Sequence, residues 1–180
     1  MPLADPLEDA IRRVRSGEVA AFQVIVDATS VPLVRMAARM LGSVADAEDV
    51  VQDAYVKAFR SLTEGRFDGR STVATWLYRI VANATLDALR GRSRAPAASD
   101  LPVNGSLDGA AFAEARLALA ELSAWLDGLP PPERAALVLK AVEGLSSAEV
   151  AVILGCSEGA VEQRLVRARA ALRRRCGQHD

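Results

Sequence analysis

The chain has 180 residues, room for one ordinary domain or two small ones. Hydrophobic residues at 51% and charged residues at 25% exclude a disordered polymer, and 4% aromatics beside abundant Ala, Leu and Val favour helix over strand. A net charge of −1 argues against a uniformly basic nucleic-acid coat, but bases outnumber acids 6 to 3 in residues 61–94 and 6 to 2 in residues 161–180.

In chain order, Gly17-Glu18 opens a segment with Phe22, Ile25 and Val26 at helical spacing. Leu33, Ala37, Met40 and Leu41 continue it as far as Gly42. Asp46 is the expected cap of the next helix, whose apolar stripe is Val50 or Val51, Ala54, Ala58 and Leu62. Glu48, Asp49, Gln52 and Asp53 then share its solvent side, either as a solvated face or as a docking surface for a basic partner. Residues 63–71 read as a loop broken by Gly65 and Gly69. A helix follows from about Thr72 to Arg90 and buries Leu77, Ile80, Val81 and Ala84.

On that helix Trp76, Arg79, Asn83, Asp87 and Arg90 recur at steps of three or four, so they share a face. Phe67 and Arg70 lie in the preceding loop, and Tyr78 sits near the helix start. Aromatic, amide and guanidinium groups in this arrangement suit stacking on an unpaired base. The competing reading makes Phe67 and Trp76 ordinary core residues.

From Gly91 to Gly109 the periodicity fails, and small, polar and proline residues mark a linker. Beyond it Leu119, Leu122, Leu126 and Leu129 form one stripe. Pro130-Pro131-Pro132 stops that helix and starts another, which ends at Gly144. Ser146-Ser147-Ala148-Glu149 is a capping box, Gly155 suits a sharp turn, and Ser157 caps a second helix. Val150, Ile153, Leu154, Val161 and Leu165 hold the two helices together. The second helix exposes Glu162, Gln163, Arg164, Val166, Arg167 and Arg169, then Arg173-Arg174-Arg175. This is the pattern of a helix-turn-helix, with groove-reading side chains first and phosphate-binding arginines beyond.

Catalysis has little material. The one histidine, His179, is next to the C-terminus, and no glycine-rich phosphate loop appears. Cys156, Cys176 and His179 offer three metal-capable groups, but without paired Cys-x-x-Cys spacing ordinary thiols are the better reading. We therefore expect no enzyme, no cofactor and no metal. No uninterrupted apolar run reaches the roughly 18–20 residues of a membrane span. Met1-Pro2-Leu3-Ala4-Asp5 does not begin a secretory signal, so a cytoplasmic protein without membrane insertion is expected.

Four segments occur in order: Ala47-Glu48-Asp49-Val50-Val51-Gln52-Asp53, Thr75-Trp76-Leu77-Tyr78-Arg79-Ile80-Val81-Ala82-Asn83, Leu129-Pro130-Pro131-Pro132-Glu133-Arg134 and Gly144-Leu145-Ser146-Ser147-Ala148-Glu149-Val150-Ala151. Together they resemble the bacterial extracytoplasmic-function (ECF) sigma factors, small sigma-70-type subunits of RNA polymerase. The resemblance implies an all-α chain of two small helical domains joined by a flexible linker. Residues 10–94 would be a sigma-2 bundle, 95–112 the linker, and 113–176 a sigma-4 helix-turn-helix.

It further implies that Glu48, Asp49, Gln52 and Asp53 dock on the β′ clamp of core RNA polymerase, with the β flap as a further contact. Phe67, Arg70, Trp76, Tyr78, Arg79, Asn83 and Arg90 would serve the −10 element. Ser157, Glu162, Gln163, Arg164, Val166, Arg167 and Arg169 would serve the −35 element. An anti-sigma factor is an implied partner. Two departures from the family pattern stand out: the Leu62–Trp76 loop is about two residues longer than is typical, and Glu162 stands where relatives carry a basic or small polar residue. A carboxylate accepts from cytosine N4, so Glu162 implies an unusual −35 preference. The alternatives are a stand-alone helix-turn-helix regulator, which binds duplex DNA unaided, and a helical adaptor.

Overall fold

Amphipathic helices build the chain from its first described residue. The computed structural model describes residues 6–94, 124–126 and 128–176, and no strand occurs among them. The expected linker, Leu119, Leu122 and His179 lie outside the described residues.

Helix α1, Pro6–Arg15, precedes the first helix expected from the sequence. Its signals are Pro6 at the start, Glu8 and Asp9 in the first turn, and arginines in the last. Ala10, Ile11 and Val14 are its buried face. After Gly17 and a 3-10 turn at Val19–Ala21, α2 spans Phe22–Leu41. Pro32 lies inside α2 and withholds one N–H from its ladder.

By length and composition, Val19–Leu41 passes for a membrane span, which qualifies the expectation that no segment does. Gln23, Asp27, Thr29 and Arg35 interrupt its apolar run without ending the helix. Its inward side chains, among them Ile25, Leu33, Met36 and Met40, are fully buried, and α2 packs on α3 and α4.

Gly42 ends α2 in the left-handed region at φ 72, and its N–H donates to the Ala38 carbonyl. Helix α3 then spans Val44–Thr63. Its cap is Ser43, not Asp46: Ser43 is extended, and its hydroxyl accepts from the Asp46 N–H at 3.3 Å. The chain leaves the glycine turn one residue before α3, so the capping position falls on Ser43 and Asp46 moves into the first turn. Ala47, Val51, Ala54, Ala58 and Leu62 are the buried stripe; Val50 is only partly buried. Alanine at three of these positions lets α2 approach closely. Between the two helices, buried Thr29 donates to the Ile25 carbonyl, and its oxygen lies 2.7 Å from the Tyr55 hydroxyl. Helix α4, Val73–Arg94, follows the 64–72 loop and is capped by Thr72, whose hydroxyl accepts from the Thr75 N–H.

The second unit contains α5 (Pro131–Leu137), a π turn (Val138–Val142), α6 (Ser147–Leu154) and α7 (Glu158–Cys176). Pro131 takes the first helical turn, as its missing N–H allows. The capping box of α6 is complete: Ser146 accepts from the Glu149 N–H, and Glu149 accepts from the Ser146 N–H at 2.8 Å. These bonds, the Ser146 hydroxyl first, hold the Glu149 carboxyl below its ordinary range. The box therefore contributes above that range and is lost as acid protonates Glu149. Gly155 turns the chain at φ 60, and Ser157 caps α7 by accepting from the Ala160 N–H. Val150, Ile153, Val161, Leu165 and Ala168 fill the angle between α6 and α7.

The two units meet. Helix α4 packs on α5 and α6, and α2 meets the π turn. Arg134 of α5 is buried and donates at 2.9 Å to the carbonyls of Met40 and Leu126. Met40 lies in the last turn of α2, where carbonyls lack a partner within the helix and a cation is favoured. Across the same seam Arg39 pairs with Glu143 at 2.5 Å. Glu143 follows the π turn, whose wider bond runs from the Glu143 N–H to the Val138 carbonyl at 3.0 Å.

Arg134→Met keeps the aliphatic length but leaves two carbonyls without their donor. We expect it to cost about 3 kcal/mol in urea unfolding; a loss below about 1 kcal/mol overturns the structural role of this seat. A Cβ on Gly155 meets nothing within 4 Å. Gly155→Ala should therefore lose only the left-handed backbone penalty, about 1–2 kcal/mol in the same measurement.

Candidate functional site

Three helical faces carry the side chains singled out in the sequence. On α3, Glu48, Asp49, Gln52 and Asp53 are all exposed. Beside them lies a shallow, mainly apolar groove of about 610 Å³, lined by Val19, Phe22, Gln52, Tyr55, Val56 and Phe59 among others. Phe22 meets Tyr55 and Phe59 edge-on, at centroid distances of 6.0 and 5.3 Å. Val56 and Val19 remain exposed. Sequence reading missed this groove. Its signal was Val56, an apolar residue one turn beyond Gln52 and outside the buried stripe.

The 64–72 loop and α4 form the second face. Arg79, Asn83, Asp87 and Arg90 are exposed along α4, and Arg90 pairs with Asp87 at 2.9 Å. Arg70 is exposed in the loop, where its N–H donates to the Asp68 carboxylate at 3.1 Å. Trp76 and Phe67 depart from the expected exposed platform. Their relative exposures are 5% and 7%, and their rings pack at 4.7 Å between centroids. The reason is a contact from α1. Arg15 of α1 donates to the Phe67 carbonyl and lies 5.7 Å from the Phe67 ring centroid, which draws the loop onto the bundle. Phe67 then covers Trp76. The core alternative weighed for both residues describes these positions.

Tyr78 is half-buried near the seam between the units. Burial pushes its phenol above the ordinary value, the Glu143 carboxylate adds to this, and Arg39 opposes it. Thus Tyr78 lies within electrostatic range of the ion pair that joins the units.

The third face is α7. Ser157, Glu162, Gln163, Val166, Arg167 and Arg169 are exposed. Arg164 is not fully exposed as expected; it is half-buried and donates to the Cys156 sulfur at 3.3 Å. Cys156 sits in the turn before α7, and the guanidinium of Arg164, nearly two turns into the helix, folds back on it. Arg167 lies 3.7 Å from the largely buried Glu133 of α5. Glu162 accepts from the Ser147 hydroxyl at 2.6 Å, across the turn. No metal-binding group of acidic, Cys or His side chains forms among the described residues.

Taken together, these faces show a bundle with an acidic, apolar-bordered patch, a basic amide-bearing helix and a helix-turn-helix. Comparison with known proteins agrees with that arrangement. Residues 25–95 match the family model for sigma-70 region 2, and residues 119–172 match that for sigma-70 region 4. The chain is 32% identical to the RNA polymerase sigma-H factor of Pseudomonas aeruginosa, over 92% of this chain and 91% of that protein. It is 33% identical to the ECF RNA polymerase sigma-E factor of Escherichia coli K12, over 90% of each. Among solved structures, CnrH in complex with the cytosolic domain of CnrY matches with a TM-score of 0.71 and 32% identity, over 98% of this chain and 100% of that one. The sigma factor RpoE of Bartonella quintana, solved with the anti-sigma factor NepR, matches with a TM-score of 0.61 and 26% identity, over 87% and 96%. Two regions in the right order, carried over nine-tenths of full-length relatives, place this chain in the ECF sigma factors of the sigma-70 family.

Proposed function

We infer that the chain directs promoter-specific initiation by core RNA polymerase, recognising a −10 element with its first unit and a −35 element with its second. The observation that carries this reading is the pairing of a helix-turn-helix with a second helical unit bearing both an acidic docking face and a basic, amide-bearing helix. A stand-alone regulator needs only the former.

Residues 10–94 and 113–176 are the two working domains, and 95–112 joins them. Glu48, Asp49, Gln52 and Asp53 meet the basic β′ clamp, and the groove beside Gln52 adds apolar contact to the same face. The second domain takes the β flap. Arg70, Arg79 and Arg90 hold phosphate, while Asn83 and Tyr78 hydrogen-bond and stack on an extruded −10 base. Phe67 and Trp76 shape that loop from beneath. Ser157, Gln163, Glu162 and Val166 face the −35 major groove. Arg167 and Arg169 reach its phosphates, and Arg164 braces the turn. The chain works where the polymerase is, in the cytoplasm. Polymerisation belongs to the core enzyme, so this chain does no chemistry of its own. Like the relatives solved with CnrY and NepR, it takes an anti-sigma partner.

A chain of net charge −1 attracts duplex DNA weakly over distance. On core, the two promoter contacts become intramolecular and reinforce each other. Tyr78 is half-buried at the seam, so double engagement requires the units to part.

Run-off transcription tests the reading: promoter-specific transcripts should appear only with core and chain together. Tight operator binding by the chain alone, without core association, instead favours the regulator. Asp49→Lys with Asp53→Lys should abolish core binding while leaving the unfolding midpoint within error. Arg39→Glu should raise binding of the free chain to single-stranded −10 oligonucleotide several-fold, and Glu143→Arg added to it should reverse the gain. An unchanged affinity in both variants shows that the ion pair does not hold the units closed.

A further inference from the structure

The groove-facing surface of α7 is unusual in what it offers. Arginine is the commonest reader of guanine, through paired bonds to O6 and N7. Here the arginine nearest the start of α7 is engaged elsewhere, since Arg164 donates to Cys156, and the next, Arg167, is drawn toward Glu133 at 3.7 Å on the side of α5. The exposed side chains around them are Glu162, Gln163 and Val166. Glu162 is further defined by Ser147, whose hydroxyl donates to Oε1 at 2.6 Å.

That bond has two consequences. An exposed glutamate ordinarily loses rotamer freedom when it binds, and a partner that orients it beforehand removes part of that loss. It also engages Oε1 from the α6 side, leaving Oε2 with both its lone pairs open to a further donor. Cytosine offers one N4 amino donor in the major groove. Guanine offers only acceptors, O6 and N7, which repel a carboxylate. Adenine offers N6 but sets the N7 acceptor beside it. One oriented acceptor therefore fits cytosine best and guanine worst. Val166, one turn further along α7 and 64% exposed, suits a thymine methyl.

We propose that Ser147 and Glu162 form a specificity pair: Glu162 reads a cytosine in the −35 element, and Ser147 positions it. The proposal rests on the sigma-factor reading above and names which base this helix selects.

The test is a promoter library randomised through the −35 element, transcribed by core polymerase with the full chain and read by transcript sequencing. One position should favour cytosine over guanine by about fivefold or more. Glu162→Gln should shift that position toward adenine, which glutamine reads through N6 and N7, and leave the others as they were. Ser147→Ala should flatten the same position alone, and Ser147→Thr, which keeps a hydroxyl, should preserve it. A merely structural role for Ser147 lowers output at every template instead. A preference for guanine at that position, or a profile unmoved by Glu162→Gln, overturns the specificity pair while leaving the sigma reading standing. No transcript from any template overturns both.

Discussion

A single buried guanidinium, Arg134, ties the two halves of this chain together at the end of α2. A helix that ends inside a protein leaves carbonyl oxygens that must find donors. At the end of α2 the Met40 carbonyl finds Arg134, which belongs to the other unit and also binds the Leu126 carbonyl. One buried cation thus completes a helix end, ties down the chain entering α5 and fixes α5 against α2. The Arg39–Glu143 pair lies on the neighbouring side, brought into reach by the π turn. Hydrophobic contact between α4 and α6 fills the seam, but the polar groups set its register.

Local rules read much of this from sequence. The capping box at Ser146, the left-handed glycine at 155, the Ser157 cap and the buried stripe of α3 follow from spacing alone, and all are present. What escaped was in part local, as with α1 and the Ser43 cap, and in part dependent on residues far apart in the chain. Phe67 and Trp76 looked like a stacking platform because the helix face was drawn without α1; Arg15, 52 residues before Phe67, pulls the loop inward. Ser43 displaced Asp46 as a cap because Gly42 set where α3 begins. Nothing local marks Arg164 as turned inward, for its partner is a cysteine sulfur. Arg134 could be quoted as part of a motif, but its role needed the Met40 carbonyl, 94 residues away. The promoter and polymerase roles proposed for single residues came from resemblance, and spacing alone would have left most of them as charged faces.

The charge pattern has a physical logic of its own. A chain of net charge −1 still carries three charged surfaces, on α3, on α4 with the loop before it, and on α7. Local fields of this kind choose partners at close range without drawing the free chain to every duplex. The acidic patch on α3 is bordered by apolar side chains, so contact there combines register from charge with area from burial.

The partial burial of Arg39 and Glu143 has one more effect. Their side chains are 32% and 12% exposed, whereas Arg70 is 88% exposed. Dissolved ions screen open charges far more than sheltered ones. Added salt therefore weakens any contact made by the open Arg70 before it loosens the sheltered Arg39–Glu143 pair. The pair between the units is thereby the more salt-tolerant of the two.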